Sequence, residues 1–161
     1  MAAEPQRQVA GAGDVDERAQ LAFVRALIDD EIPFNRVLGL KVRHLARGLA
    51  VLEIPFRAEL IGDRERPALH GGVVSALADT CGGAAVWTQV GPLDRVSTID
   101  LRVDYLRPGR AETLIATGTV LREGNRVGVV NIVVTHEGDA APIAEAKGVY
   151  SIKRVAGGGR P

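Results

Sequence analysis

The sequence predicts an α+β domain: a curved antiparallel sheet of about six strands wrapped around one long central helix, with a short helix in front. Three observations carry this. Residues 69–87, LHGGVVSALADTCGGAAVW, are almost wholly apolar and hold one charge, Asp79; a helix that is apolar all round is buried. The second half of the chain is a succession of alternating or apolar runs separated by turn residues, as antiparallel strands require. The 161 residues, 46% hydrophobic and 25% charged, suffice for one domain with a substantial core.

The elements follow in order. Residues 1–15 are small and polar and read as a disordered tail, so the domain is expected over residues 16–153. Residues 16–31 place Leu21, Val24, Leu27 and Ile28 at helical spacing, with Asp16 as cap and Pro33 as the stop. LGLKVRHLA and LAVLEIPF read as strands joined at Arg47-Gly48, and the charged residues 57–67 as a loop. The apolar helix comes next and stops before Gly91-Pro92. In RVSTIDLRVDYLRP, alternation puts Ser97, Ile99, Leu101, Val103 and Tyr105 on one face and Thr98, Asp100, Arg102 and Asp104 on the other. ETLIATGTVLRE and RVGVVNIVVTHE meet at the hairpin signal Gly124-Asn125; residues 142–153 give the last strand and residues 154–161 a glycine-rich tail.

Composition narrows the function. A formal net charge of zero gives no field that favours nucleic acid or an anionic membrane. The central helix is long enough to suggest a membrane span, but Gly71, Gly72, Gly82, Gly83, Ser75, Thr80 and Asp79 argue against a lipid-facing one. With no secretory signal and a single cysteine, a reducing compartment, the cytoplasm, is expected. Cys81 has no base or cation near it in sequence and reads as a small buried filler. His44, His70 and His136 lie on separate elements without metal-ligand spacing, so no metal is expected. Ser75 has no nucleophile-elbow context, and there is no phosphate loop.

Asp79 is the residue that demands an explanation. A buried carboxylate loses hydration unless a partner or polar cavity compensates. Either it is satisfied locally, for instance by Thr80 or a partner chain, or it faces a reaction site. The helix entrance His70-Gly71-Gly72 offers the complement: the first amides of a helix are unpaired, the macrodipole is positive there, and glycine lets a carbonyl oxygen approach.

His70-Gly71-Gly72, then Leu77-Ala78-Asp79-Thr80, then Thr98-Ile99-Asp100-Leu101 through Tyr105-Leu106-Arg107-Pro108, resembles the hotdog-fold acyl-CoA thioesterases, most closely the phenylacetate-pathway (PaaI-like) type. The resemblance covers residues 34–153. It implies hydrolysis of a small acyl- or aryl-CoA, with coenzyme A as part of the substrate and no cofactor. It also implies a homodimer joined through the strand after the helix, often paired into a homotetramer. It assigns Asp79 as nucleophile or general base, the Gly71 amide as oxyanion donor, and His70 as an orienting group beside Gly72. Two positions depart from the pattern: Arg64 stands where relatives carry Asn or Gln to fix the thioester, and Gly83 where relatives often carry Ser or Thr. Those departures leave an alternative open, an acyl-CoA-binding protein of the same fold without turnover; a hydratase would need a differently placed Asp/His pair, and a purely structural oligomer is the third reading.

Geometry adds a requirement of its own. Gly71 and Asp79 are eight positions apart, roughly 12 Å along a regular helix. A reacting carbonyl must lie about 3 Å from both donor and attacker. One chain cannot supply both, whereas two helices related by a two-fold can. At the mouth, Arg107, Arg110, Arg122 and Arg126 and the backbone of Gly124 and Asn125 are candidates for the coenzyme A phosphates, and Trp87, Val86 and Phe34 for the acyl pocket, with solvated surface and plain core as the competing readings.

Overall fold

The apolar stripe of the strands and the all-apolar helix can be buried only against each other, and that contact organises the molecule. In the computed structural model, which describes residues 12–155, helix α3 (Gly71–Trp87) lies in the concave face of a six-stranded antiparallel sheet. The strands are β1 (Lys41–Ala46), β2 (Leu49–Ile54), β5 (Arg95–Tyr105), β6 (Leu114–Glu123), β7 (Val127–His136) and β8 (Asp139–Lys153), in the order β1-β2-β6-β7-β8-β5. Leu77, Ala78, Cys81, Ala84, Ala85 and Val86 of α3 are buried with Leu52, Ala116, Val130, Ile132 and Ala146 of the sheet. Among the described residues, no helix is long and apolar enough to cross a membrane.

The front of the chain differs from its sequence pattern. Helix α1 (Ala12–Ala26) begins at Ala12, so residues 12–15, expected in a tail, are helical and Asp16 lies inside the helix instead of capping it. Ala12, Asp14, Asp16 and Glu17 explain the earlier start, since alanine favours helix and acidic side chains suit its first turns. The remaining tail positions, residues 1–11 and 156–161, lie outside the described residues. The chain then widens into a π-helical turn, Leu27–Glu31, and Pro33 opens a further helix, α2 (Pro33–Leu38). Pro33 both ends and begins helix: it forces Ile32 into extended backbone, and its fixed φ suits the first helical position. Residues 57–67 are more than a loop. They hold a 3-10 turn (Ala58–Leu60) and a small hairpin of β3 (Ile61–Asp63) and β4 (Ala68–Leu69), too short and too charged for periodicity to reveal.

Strand β5 also departs from simple alternation. Its register with β8 shifts between Thr98 and Asp100, so Ile99 is an extra, bulged residue. Beyond the bulge Leu101, Val103 and Tyr105 face the helix as alternation predicts. Before it the phase is reversed: Thr98 points inward with Val96, and Ile99 points out, 60% exposed.

The two sheet edges are treated differently. On β1, the Val42 amide donates to Asp29 Oδ1 at 2.7 Å and the Val42 carbonyl accepts from Arg25 at 2.8 Å, so the N-terminal helices close that edge. The outer edge of β5 has no strand beside it among the described residues.

Candidate active site

Asp79 sits half-buried in the middle of α3. Its Oδ1 accepts a hydrogen bond from the Thr98 hydroxyl at 2.8 Å. The reversed phase of β5 is what turns Thr98 toward it. The Asp79 main-chain carbonyl accepts from the Tyr150 hydroxyl at 3.0 Å, which ties this point of the helix to β8. Tyr150 reaches it because two neighbours lack side chains: a Cβ on Gly82 would lie 2.1 Å from the tyrosine oxygen, and one on Gly148 2.5 Å from the same atom. Burial first, and then the negative charge of Asp79, push the Tyr150 hydroxyl far above the usual tyrosine range, so it stays a neutral donor. Asp79 opens on a cleft of about 190 Å³ lined by Ile28, Phe34, Asn35, Gly83, Trp87 and Thr98 among others. It is therefore locally held and still faces a cavity, and the hydroxyl on it comes from Thr98 and not from Thr80.

The other candidate group lies at the helix entrance. His70 Nδ1 accepts from the Gly72 amide at 2.9 Å and caps α3. Leu69 and His70 donate to Gly109 and Leu60 carbonyls at 2.8 Å, pinning the entrance. The Gly72 amide, expected as a substrate contact, is thus occupied by His70. The Gly71 N–H has no acceptor among the described residues. Tyr105 stands over it: its hydroxyl donates to the Gly71 carbonyl at 3.0 Å and bonds the Ser75 hydroxyl. A second cleft, about 300 Å³, lies here, lined by Gly71, Val74, Tyr105, Arg107 and Ile143 among others.

The predicted anion contacts divide between the two ends of the sheet. Arg107 lines the Gly71 cleft and donates twice to the Pro142 carbonyl, at 3.1 and 2.7 Å. Arg110 is committed to Glu112 and Asp139, which raises its own pKa; Arg110 in turn lowers that of Glu112, and the Ala141 amide first and then Arg110 lower that of Asp139. The hairpin of Gly124, Asn125 and Arg126 lies at the opposite end, where the Arg126 carbonyl accepts from Ile152. The Gly124 amide is not open to a phosphate: it donates to Val127 at 2.8 Å to close the hairpin. Asn125, Arg122 and Arg126 are exposed, and neither arginine head has a hydrogen-bond partner among the described residues. Arg64 is exposed at the tip of the β3–β4 hairpin and lines neither cleft. Phe34 and Trp87 do line the Asp79 cleft, whereas Val86 is core, packed on Gly128. Burial pushes the Cys81 thiol up to about 12, as its reading as inert filler requires.

Comparison with known proteins fits this arrangement. The sequence model described as the thioesterase superfamily matches residues 67–143. The medium/long-chain acyl-CoA thioesterase YigI of Salmonella typhimurium is 35% identical over 148 residues, covering 82% of this chain and 93% of that protein. This chain belongs to the thioesterase superfamily. Among solved structures, this thioesterase is similar to a Shewanella oneidensis protein related to the same superfamily, with TM-score 0.74 and 31% identity over 84% of this chain and 96% of that one. It also shares the fold of the Escherichia coli PaaI protein of the phenylacetic acid degradation operon, with TM-score 0.74 and 24% identity over 87% and 96% of the two chains. The expected hotdog fold and thioester hydrolase class are thereby borne out. The matched stretch of the thioesterase contains Gly71, Asp79 and Thr98; the helices that supply Ile28, Phe34 and Asn35 to the Asp79 cleft precede it. Sequence spacing singles out neither Thr98 nor Asn35 of this thioesterase. A bulge hides the first, and only the long-range return of α2 to α3 brings in the second.

Proposed function

We propose that this thioesterase hydrolyses acyl-CoA thioesters at a site completed by a second copy of the chain. The observation that carries the reading is the separation of two incomplete halves. The unpaired Gly71 amide and the Asp79 carboxylate open on different clefts of one protomer, and eight helical positions hold them roughly 12 Å apart. An antiparallel pairing of β5 edges about a two-fold would bring the Gly71 cleft of one copy toward the Asp79 cleft of the other. The edge available for it is the one that no strand covers among the described residues.

In such a site the thioester oxygen accepts from the Gly71 amide, whose donor is in place before charge develops. Asp79 either takes a proton from water as the water attacks, or attacks the carbonyl carbon itself. The C–S bond then breaks, and the departing thiolate takes up a proton; on the second route water goes on to hydrolyse the acyl–aspartyl anhydride, which releases the acid and frees Asp79. Base, donor and water complete the reaction, so we propose no metal or redox cofactor. Arg107, beside the Gly71 cleft, is placed to meet coenzyme A phosphates. Ile28, Ile32, Phe34, Trp87 and Val96 make the Asp79 cleft apolar. With the kinship to a relative named for medium and long chains, this supports an aliphatic acyl group longer than the small acyl or aryl group that the sequence suggested. Pairing of dimers into a tetramer and a cytoplasmic location complete the reading. A binding protein without turnover is the competitor that Arg64 and Gly83 keep in view.

The test is thiol release over a panel from acetyl- and phenylacetyl- to dodecanoyl-CoA, with Asp79→Asn as control. Turnover that rises with chain length and vanishes in the variant supports the proposal. Binding of the substrates with no thiol released by either protein establishes the competitor instead.

A further inference from the structure

The Asp79 cleft contains a polar group that the mechanism so far leaves unused. Asn35, on α2, is 2% exposed and lines the same cleft as Asp79 and Thr98. Its Nδ2 donates to the Ile28 carbonyl at 3.0 Å, which fixes the amide orientation because a carbonyl can only accept. Its Oδ1 has no hydrogen-bond partner among the described residues. Among the described residues the sealed side-chain polar atom without a partner is Gln89 Oε1, outside this cleft, and not Asn35 Oδ1, so the asparagine oxygen keeps an opening. An acceptor left unmatched in a largely buried side chain is costly. The fold tolerates it where water or a ligand supplies the missing donor.

Resting on the acyl-CoA hydrolase reading above, we propose that Asn35 is a positioning residue for the attacking water. A water that serves as nucleophile has two O–H bonds to place and must leave a lone pair aimed at the carbonyl carbon. Thr98 occupies Asp79 Oδ1, which leaves Oδ2 to accept one O–H and take that proton. Asn35 Oδ1 accepts the other. An amide oxygen does not keep a proton at neutral pH, so Asn35 orients the water and Asp79 removes the proton. The O–C bond forms as the proton passes to Asp79, and the C–S bond breaks as the tetrahedral intermediate collapses. This selects the general-base role for Asp79. It also compensates for Gly83: the helix position one turn after the acid carries no hydroxyl, and the second contact to water comes from α2 instead, across the cleft that Gly83 also lines.

The experiment compares wild type, Asp79→Asn, Asn35→Leu and Asn35→Asp by thiol release on an octanoyl- to dodecanoyl-CoA series, with a thermal midpoint for each protein. Asn35→Leu is expected to lower kcat by about 10²-fold at every chain length, with KM within about two-fold of wild type. A residue that merely braced α2 would instead raise KM in a chain-length-dependent way, because Ile28, Ile32 and Phe34 line the acyl wall. Asn35→Asp places a second carboxylate beside the base. The two would retain a shared proton to higher pH, so the acidic limb of kcat/KM moves upward. If Asn35→Leu does not fold, that limb decides alone. Wild-type kcat in Asn35→Leu, a change confined to KM, or an unmoved limb in Asn35→Asp overturns the role of Asn35 while leaving the hydrolase reading intact. A wild-type protein that releases no thiol overturns the hydrolase reading itself.

Discussion

The proposed shared site makes a quantitative prediction for mixed dimers. Gly71→Pro deletes the one unpaired amide of the entrance while leaving the backbone nearly undisturbed. Position 71 is the first helical residue, where proline is favoured, and His70 already has the extended backbone (φ −63°, ψ 132°) that precedes proline. A Cβ at position 71 meets Tyr105 at 3.4 Å, an ordinary contact. Loss of one oxyanion donor lowers kcat by about 10²–10³-fold, and Asp79→Ala removes the attacking group. Each variant alone is therefore expected below about 1% of wild type. If Gly71 of one copy serves Asp79 of the other, a heterodimer of the two variants rebuilds one of its two sites from intact parts. A heterodimer isolated with two different tags should then show about half the wild-type rate, and a random equal mixture about a quarter. A heterodimer no more active than its parents, with subunit exchange demonstrated by the tags, would refute the reasoning. The donor and attacker would then belong to one chain, despite some 12 Å of helix between them.

Three further outcomes follow from the same geometry. Gly82→Ala and Gly83→Ala should have opposite signs in urea unfolding. Alanine gains up to about 1 kcal/mol of helix propensity at either position, but a Cβ at 82 lies 2.1 Å from the oxygen of a sealed Tyr150 and overpacks by about 1–3 kcal/mol or more, whereas at 83 it makes a 3.6 Å contact; a stabilised Gly82→Ala would sink this. Cys81, pushed up to about 12 by burial, should resist iodoacetamide at pH 8 in the native protein and react on unfolding; native alkylation at the rate of a free thiol would contradict it. Burial alone would raise the Asp94 pKa, but the Val155 amide, Arg154 and the Gly91 amide together hold it below the ordinary carboxylate value. Its contribution is present above the unfolded pKa of about 3.9 and lost as pH falls through the folded one. Asp94→Asn should accordingly flatten the loss of stability between about pH 5 and pH 3; identical slopes for variant and wild type would remove Asp94 from the account.

The sequence disclosed what repeats and hid what does not. Helix α3 is legible because residues 71–87 are apolar on every face, and the β6–β7 hairpin because Gly124-Asn125 interrupts two apolar runs. Asp79 is legible as the one charge in an apolar helix and Gly71 as part of its His-Gly-Gly entrance, and helix geometry fixes their spacing; their roles come from the family resemblance. Thr98 was assigned to the wrong face. Alternation counts residues, and one bulged residue, Ile99, reverses every position before it without leaving a periodic trace. Pro33 signals a helix end, yet the same ring suits a helix start, and only the return of the chain to the core decides between them. The Gly124 and Gly72 amides were plausible anion donors until local closure used them, one in a turn and one in a cap. Asn35 carries no motif, and its place beside Asp79 comes from tertiary packing.

The bulge also explains how, in the proposed dimer, pairing and chemistry would converge on one strand. Among the described residues no strand pairs with the outer edge of β5, and the strand braces both halves of the proposed site: Thr98 holds Asp79, and Tyr105 holds the Gly71 carbonyl. Without the extra residue at 99, a strand of period two could not face the helix with both, because positions 98 and 105 differ by an odd number. With it, one strand clamps Asp79 at one end and the Gly71 entrance at the other. Its outer rim, with Ile99 at 60% and Tyr105 at 54% exposure, remains available to a second copy. A change that straightens β5, such as deletion of Ile99, would strike the Asp79 brace and the pairing edge together, because the same backbone serves both.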